Sequence, residues 1–163
     1  MTLTSILPTL RHSIPSPLTR DLWPARTVPT LDDVVLGGVS ILRYVDLCGT
    51  PCVTTGSAVL PLSGGIASST DTTTILTVSV IAVDESAALP VALVDGVVSD
   101  LSPTWSEARL IGRVSRWRDR RFGVRDAAGV DVAGVAVILP GDLAPGDLLV
   151  VPCPGAHAVG EVR

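Results

Sequence analysis

The sequence predicts an all-β protein, a Greek-key barrel or sandwich with one short helix near residues 40–48. Three observations carry that prediction. Hydrophobic residues make up 47% of the chain but aromatics only 3%, so the core has to be built from Val, Leu, Ile and Ala, and β-branched side chains suit a pleated surface. There are 15 glycines and 13 prolines, which punctuate the chain because Gly accepts positive φ and Pro presets it. The apolar runs between these turn signals are short and recur about every eight to twelve residues, the spacing of sandwiches and barrels.

Taken in order, residues 1–30 read as an extended arm: Pro8, Pro15, Pro17, Pro24 and Pro29 fall among Ser and Thr, with no sustained period. Residues 31–163 read as a single β-domain. Residues 34–36 suggest a strand and Gly37-Gly38 a turn. Ser40 then caps a helix over residues 41–47, which Gly49 closes and Pro51 stops. Residues 74–83 and 91–98 read as strands, the second bent or bulged at Asp95-Gly96. Residues 108–117 and 121–124 read as a hairpin through Arg118-Asp119-Arg120. Residues 130–139, 148–151 and 156–162 complete the strands. Between them stand the turn signals Pro140-Gly141-Asp142, Pro145-Gly146-Asp147 and Pro154-Gly155.

Composition narrows function. A formal charge of −4 argues against a nucleic-acid binder, which needs a positive surface. No apolar run approaches the roughly 18 to 20 residues of a membrane span, and the start of the chain lacks the pattern of a secretion signal, so the expected location is cytoplasmic. With 3 cysteines, an odd number, reduced thiols are expected. Cys48 and Cys52, with Cys153 far off, do not make a zinc set, so no metal is expected. The chain contains no lysine: all 12 basic residues are arginines.

Several motifs recur in the order found in the diaminopimelate decarboxylases, enzymes dependent on pyridoxal phosphate (PLP). They are Leu22-Trp23-Pro24, Gly37-Gly38-Val39-Ser40, Gly49-Thr50-Pro51, Val94-Asp95-Gly96, the run Ala108-Arg109-Leu110-Ile111-Gly112-Arg113, and the closing stretch over residues 139–157. The chain resembles the N-terminal segment and the C-terminal β-domain of that family, and of the related alanine racemase architecture. Where the family carries a (β/α)8 cofactor barrel, Thr54 here runs almost directly into Ser63. The resemblance therefore implies a stand-alone β-domain without the barrel. A Schiff base to PLP needs a lysine amine, so this chain cannot hold that cofactor covalently and none is expected. The family's phosphate-cradling loop corresponds to Leu62-Ser63-Gly64-Gly65, its Cys-Glu-Ser to Ala127-Ala128-Gly129 beside Asp131, and its Gly-Ala-Tyr ends here in His157.

The candidate site follows from those positions. His157 and Asp131 are the expected catalytic pair, since His titrates near neutral pH; Arg109, Arg113, Trp105 and Asp95 are the expected ligand contacts. The second histidine, His12, has no motif around it. Arg116, Arg118, Arg120 and Arg121 with Trp117 read as a solvated tip. The function expected is a repurposed small-molecule-binding protein, whose catalytic form would be a cofactor-independent biosynthetic enzyme of the tailoring, cyclase or isomerase type. The alternative is a non-catalytic pseudoenzyme module that forms a homodimer or binds another pathway enzyme.

Overall fold

The computed structural model describes residue 7 and residues 13–163; His12 lies outside them. The described residues are mostly β with one short α-helix. A small antiparallel sheet joins β1 (Thr27–Pro29), β2 (Val34–Leu36) and β3 (Val39–Ser40), so the end of the segment read as an arm takes part in strand pairing. Helix α1 (Ile41–Cys48) follows. The Ser40 hydroxyl accepts the Arg43 N–H at 3.2 Å, and Asp33 Oδ1 accepts the Leu42 N–H at 3.1 Å, which occupies two of the amides a helix start leaves without partners. Gly49, at φ 72°, ends the helix by donating its N–H to the Val45 carbonyl at 2.7 Å.

The main sheet has seven strands: β4 (Cys52–Val59), β5 (Ala67–Asp84), β6 (Val91–Val94), β7 (Arg109–Ile111), β8 (Asp119–Arg125), β9 (Val137–Pro140) and β10 (Leu148–Pro154). Strand order is β7-β10-β5-β6-β8-β9, with β4 also on β5. All pairings are antiparallel except β6 with β8, which makes the sheet mixed. It curls until its two end strands, β7 and β9, approach each other, but no ladder joins them. The result is a nearly closed barrel with one open seam.

Strand β5 is the spine because both of its faces are covered. Leu76, Val78 and Val80 point into the main cluster with Phe122, Val124, Leu139 and Leu149. Ile75 points the other way, into a second cluster with Trp23, Val34, Ile41, Ile111 and Val150. This period-two split leaves residues 73–78 buried without interruption, the pattern of a strand covered on both faces. At the bulge between Val80 and Ala82, Asp95 Oδ1 accepts the Ser79 N–H at 2.9 Å and satisfies a backbone donor near the irregularity.

The strands expected over residues 91–98 and 130–139 are shorter, Val91–Val94 and Val137–Pro140, and two further expectations fail. Residues 108–117 and 121–124 do not form a hairpin: β7 pairs with β10, while β8 pairs with β6 and β9. The strand partners lie farther off in sequence. The strand expected over residues 156–162 is absent. Ladder pairing stops at Pro154, and a single 3-10 turn, Val159–Glu161, follows.

Candidate functional site

A cleft of about 370 Å³ runs along the open seam, at the small end of the range of ligand sites. Its walls come from the segment Ile14, Ser16, Pro17, Leu18 and Thr19, from Leu110 of β7, and from Ile138, Leu139 and Pro140 of β9, with Arg109 and Arg113 among the lining side chains. The unpaired seam explains the position: two strands that approach without hydrogen-bonding leave room that a ninth-strand-like contact would otherwise fill, and the incoming chain at residues 14–19 covers it. The β7 edge is partly occupied farther on, where the Gly112 N–H donates to the Asp32 carbonyl at 2.7 Å.

The two arginines of this cleft differ in their partners. Arg113 donates from Nε and Nη2 to the two carboxylate oxygens of Asp147 at 2.7 and 2.6 Å. It also donates from Nη1 to Asp142 Oδ2 at 2.8 Å and from Nη2 to the Asp142 carbonyl at 3.0 Å. The hydrogen bonds it donates to Asp147 lift its pKa above the ordinary value against the opposing effect of burial. Burial alone would raise Asp142, but hydrogen bonds from Ser115 and Arg113 outweigh it and hold the carboxyl below its ordinary value. The Ser115 hydroxyl donates to Asp142 Oδ1 at 2.5 Å. Both aspartates are the third residues of the Pro-Gly-Asp turns, so these turns also supply the counter-ions of Arg113.

Arg109 is built differently. Its Nη2 donates to the Ser16 carbonyl at 2.7 Å, and among the described residues no carboxylate lies within ion-pair distance of it. Burial pushes this guanidinium below its ordinary pKa, with nearby Glu107 acting in the opposite direction. Glu107 is itself engaged: it accepts the Trp23 indole N–H at 2.9 Å, the Thr19 hydroxyl at 2.6 Å and the Thr19 N–H at 3.2 Å. Asp33 accepts from Val34 N at 2.7 Å, from Leu42 N and from the Ser40 hydroxyl at 2.5 Å.

The remaining expected site residues lie elsewhere. Trp105 is buried in the main cluster at 4% exposure, and its indole N–H has no hydrogen-bond partner among the described residues. Asp95 serves the β5–β6 bulge. Asp131 is exposed and pairs through its backbone with Arg125. His157 lies beyond β10, with Nδ1 3.0 Å from Glu161 Oε2 and Nε2 2.9 Å from the Pro154 carbonyl oxygen. Both ring nitrogens therefore face acceptors of the chain, and the hydrogen bond from His157 holds the Glu161 carboxyl below its usual range. Of the six, only Arg109 and Arg113 meet in one cleft. Ser16, Glu107, Asp142 and Asp147 belong to that cleft or its support, and sequence reading passed over all four as site residues.

The residues that correspond to a phosphate cradle do not fit PLP. They form the exposed turn between β4 and β5, where Leu62 is 96% exposed. The Leu62 N–H donates to the Asp21 carboxylate at 3.0 Å, and the Ile66 N–H to the Ser63 hydroxyl at 2.9 Å. A carboxylate already sits where a phosphate would have to bind.

No family model matches the chain, and no curated protein matches it. Among solved structures, it is similar to part of the lysine decarboxylase from Selenomonas ruminantium, with a TM-score of 0.41 and 16% identity over 55% of this chain and 26% of that one. A mutant of SrLDC in complex with PLP gives a TM-score of 0.38 and 19% identity over 55% of this chain and 24% of that one. SrLDC in complex with PLP and cadaverine gives 0.33 and 17%, over 48% and 22%. The likeness is partial and domain-level: the chain spans about a quarter of the length of the first of these structures.

Proposed function

We propose that the chain is a stand-alone, barrel-less decarboxylase-like β-domain that binds a small molecule in the seam cleft. The observation that carries this reading is the cleft's construction: a concave site between strands β7 and β9, which do not pair with each other, apolar along Leu110, Ile138 and Leu139, with charged side chains converging on it. The chemistry of a PLP decarboxylase has no counterpart here, since a chain with no lysine supplies no amine for a Schiff base. The reading is of a binding protein, and it moves the site from the His157 region to the seam.

The test is a small-molecule fragment screen followed by amide chemical shifts of the labelled full chain. Shifts should concentrate at Leu110, Ile138 and Leu139. They should vanish in Ile138→Trp, which fills the cleft from a position 55% exposed on β9 and so puts little at risk in the core. Shifts clustered around His157, or no reproducible shifts, would reject the reading.

A further inference from the structure

The geometry points to a class of ligand for this cleft, an inference that rests on the reading just given: we propose that it takes a small monocarboxylate with an apolar body, its carboxylate bound by Arg109. A guanidinium carries five N–H donors. Arg113 directs its Nε and both terminal nitrogens at Asp142 and Asp147. Arg109 directs one N–H at a neutral carbonyl, that of Ser16. Its other donors have no acceptor among the described residues, and no carboxylate there lies within ion-pair distance, Glu107 acting on it only from farther off. A partly desolvated cation without a counter-ion is an unfavourable arrangement for folding alone. It is a favourable one for capturing an anion, because the guanidinium fork matches a carboxylate with two parallel hydrogen bonds.

The surroundings limit what kind of anion fits. Glu107 and Asp33 line the same cleft, and each is held in place by hydrogen bonds to the chain: Glu107 to Trp23 and Thr19, Asp33 to Val34, Ser40 and Leu42. With Asp119 of β8, that makes three carboxylates around a single available cation, and they disfavour a dianion such as phosphate by like-charge repulsion. Arg109 itself offers one positive charge with open N–H donors, which a singly charged head matches. Beyond Arg109 the lining is mixed: Leu18, Leu110, Val114, Ile138 and Pro140 supply an apolar strip, and Ser106, Ser115 and Thr30 interrupt it with hydroxyls. The carboxylate head belongs at Arg109 beside Ser16 and the apolar body along β9. The segment at residues 14–19, tied to Arg109 by the Ser16 contact, forms the wall nearest the head.

Isothermal titration of the full chain decides this with 4-phenylbutyrate, its neutral amide and inorganic phosphate as probes, read alongside amide shifts at Leu110 and Ile138. Phenylbutyrate should bind at the cleft and the amide and phosphate at least about tenfold more weakly, as loss of a charge-assisted bidentate pair implies. Arg109→Gln should remove the preference for the acid over the amide. Arg109→Lys, which keeps the charge, should retain part of it and guards against a folding artefact. If acid and amide bind the cleft equally and Arg109→Gln changes neither, the carboxylate assignment is overturned while the cleft remains a binding site. If phosphate binds best, the assignment to an apolar monocarboxylate is overturned. If no probe shifts the cleft amides and the fragment screen is also silent there, both the assignment and the underlying reading fall.

Discussion

Arg109 and Arg113 sit four positions apart on either side of the end of β7, line the same cleft, and have opposite electrostatic settings. Arg113 is closed: two aspartates from two turns neutralise it, and its side chain fastens the β9–β10 connection to the end of β7. Arg109 is open: its charge is half-buried, and a carbonyl is the partner it meets. The contrast teaches that an arginine in a pocket is informative only together with its acceptors. A guanidinium whose donors are satisfied by the chain supports the fold, whereas one left short of acceptors is available to a ligand.

The largest effect is expected from breaking the wall behind Arg109. Trp23 is 1% exposed in the second cluster, and its indole N–H donates to Glu107. Trp23→Ala should cost about 3–5 kcal/mol in chemical denaturation, the usual range for removing a fully buried large aromatic. In whatever fraction remains folded, Glu107 keeps its Thr19 hydrogen bonds but loses its indole donor, and carboxylate binding should fall as the wall loosens. A loss below about 1 kcal/mol would mean that the second cluster does not anchor the cleft.

A smaller effect sharpens the other arginine. The folded-state pKa of Asp142 is depressed below its ordinary value of 3.8. Its contribution to stability is therefore fully present above the unfolded value and is lost as pH falls through the lower folded value. The midpoint of thermal unfolding should drop as pH is taken below 3.8, and Asp142→Asn should flatten that part of the curve. A wild-type profile that the substitution leaves unchanged would contradict the role given to this pair.

Much of the fold was readable in the sequence and much of the site was not, for a physical reason that particular residues show. The helix is written locally, in Ser40, Gly49 and the residues between them, and the structure places it at Ile41–Cys48. The apolar alternation of residues 74–83 likewise marks the core of β5. Pairing is not local. The expected hairpin at Arg118-Asp119-Arg120 failed because β7 finds its partner in β10, across a stretch whose turns gave no sign of it. The counter-ions of Arg113 are hidden for the same reason: Asp142 and Asp147 stand 29 and 34 residues away and look like ordinary turn residues. Trp105, attractive as an aromatic near Arg109 in sequence, turns into the core instead. No spacing in the sequence distinguishes an arginine with counter-ions from one without.

That difference is also the most direct thing to measure. Replacing each arginine by methionine keeps most of the apolar stem and removes the charge, and urea denaturation of the two variants compares them on one scale. Arg113→Met leaves Asp142 and Asp147 without their cation and should cost about 2 kcal/mol, a figure discounted from that of a buried pair because the Arg113 side chain is 34% exposed. Arg109→Met removes a charge with no ion-pair partner among the described residues and one hydrogen bond, that to the Ser16 carbonyl, and should cost less than Arg113→Met, about 1 kcal/mol or below. The opposite order, with Arg109→Met the more damaging, would show that Arg109 holds the fold together and would remove the basis for a ligand there.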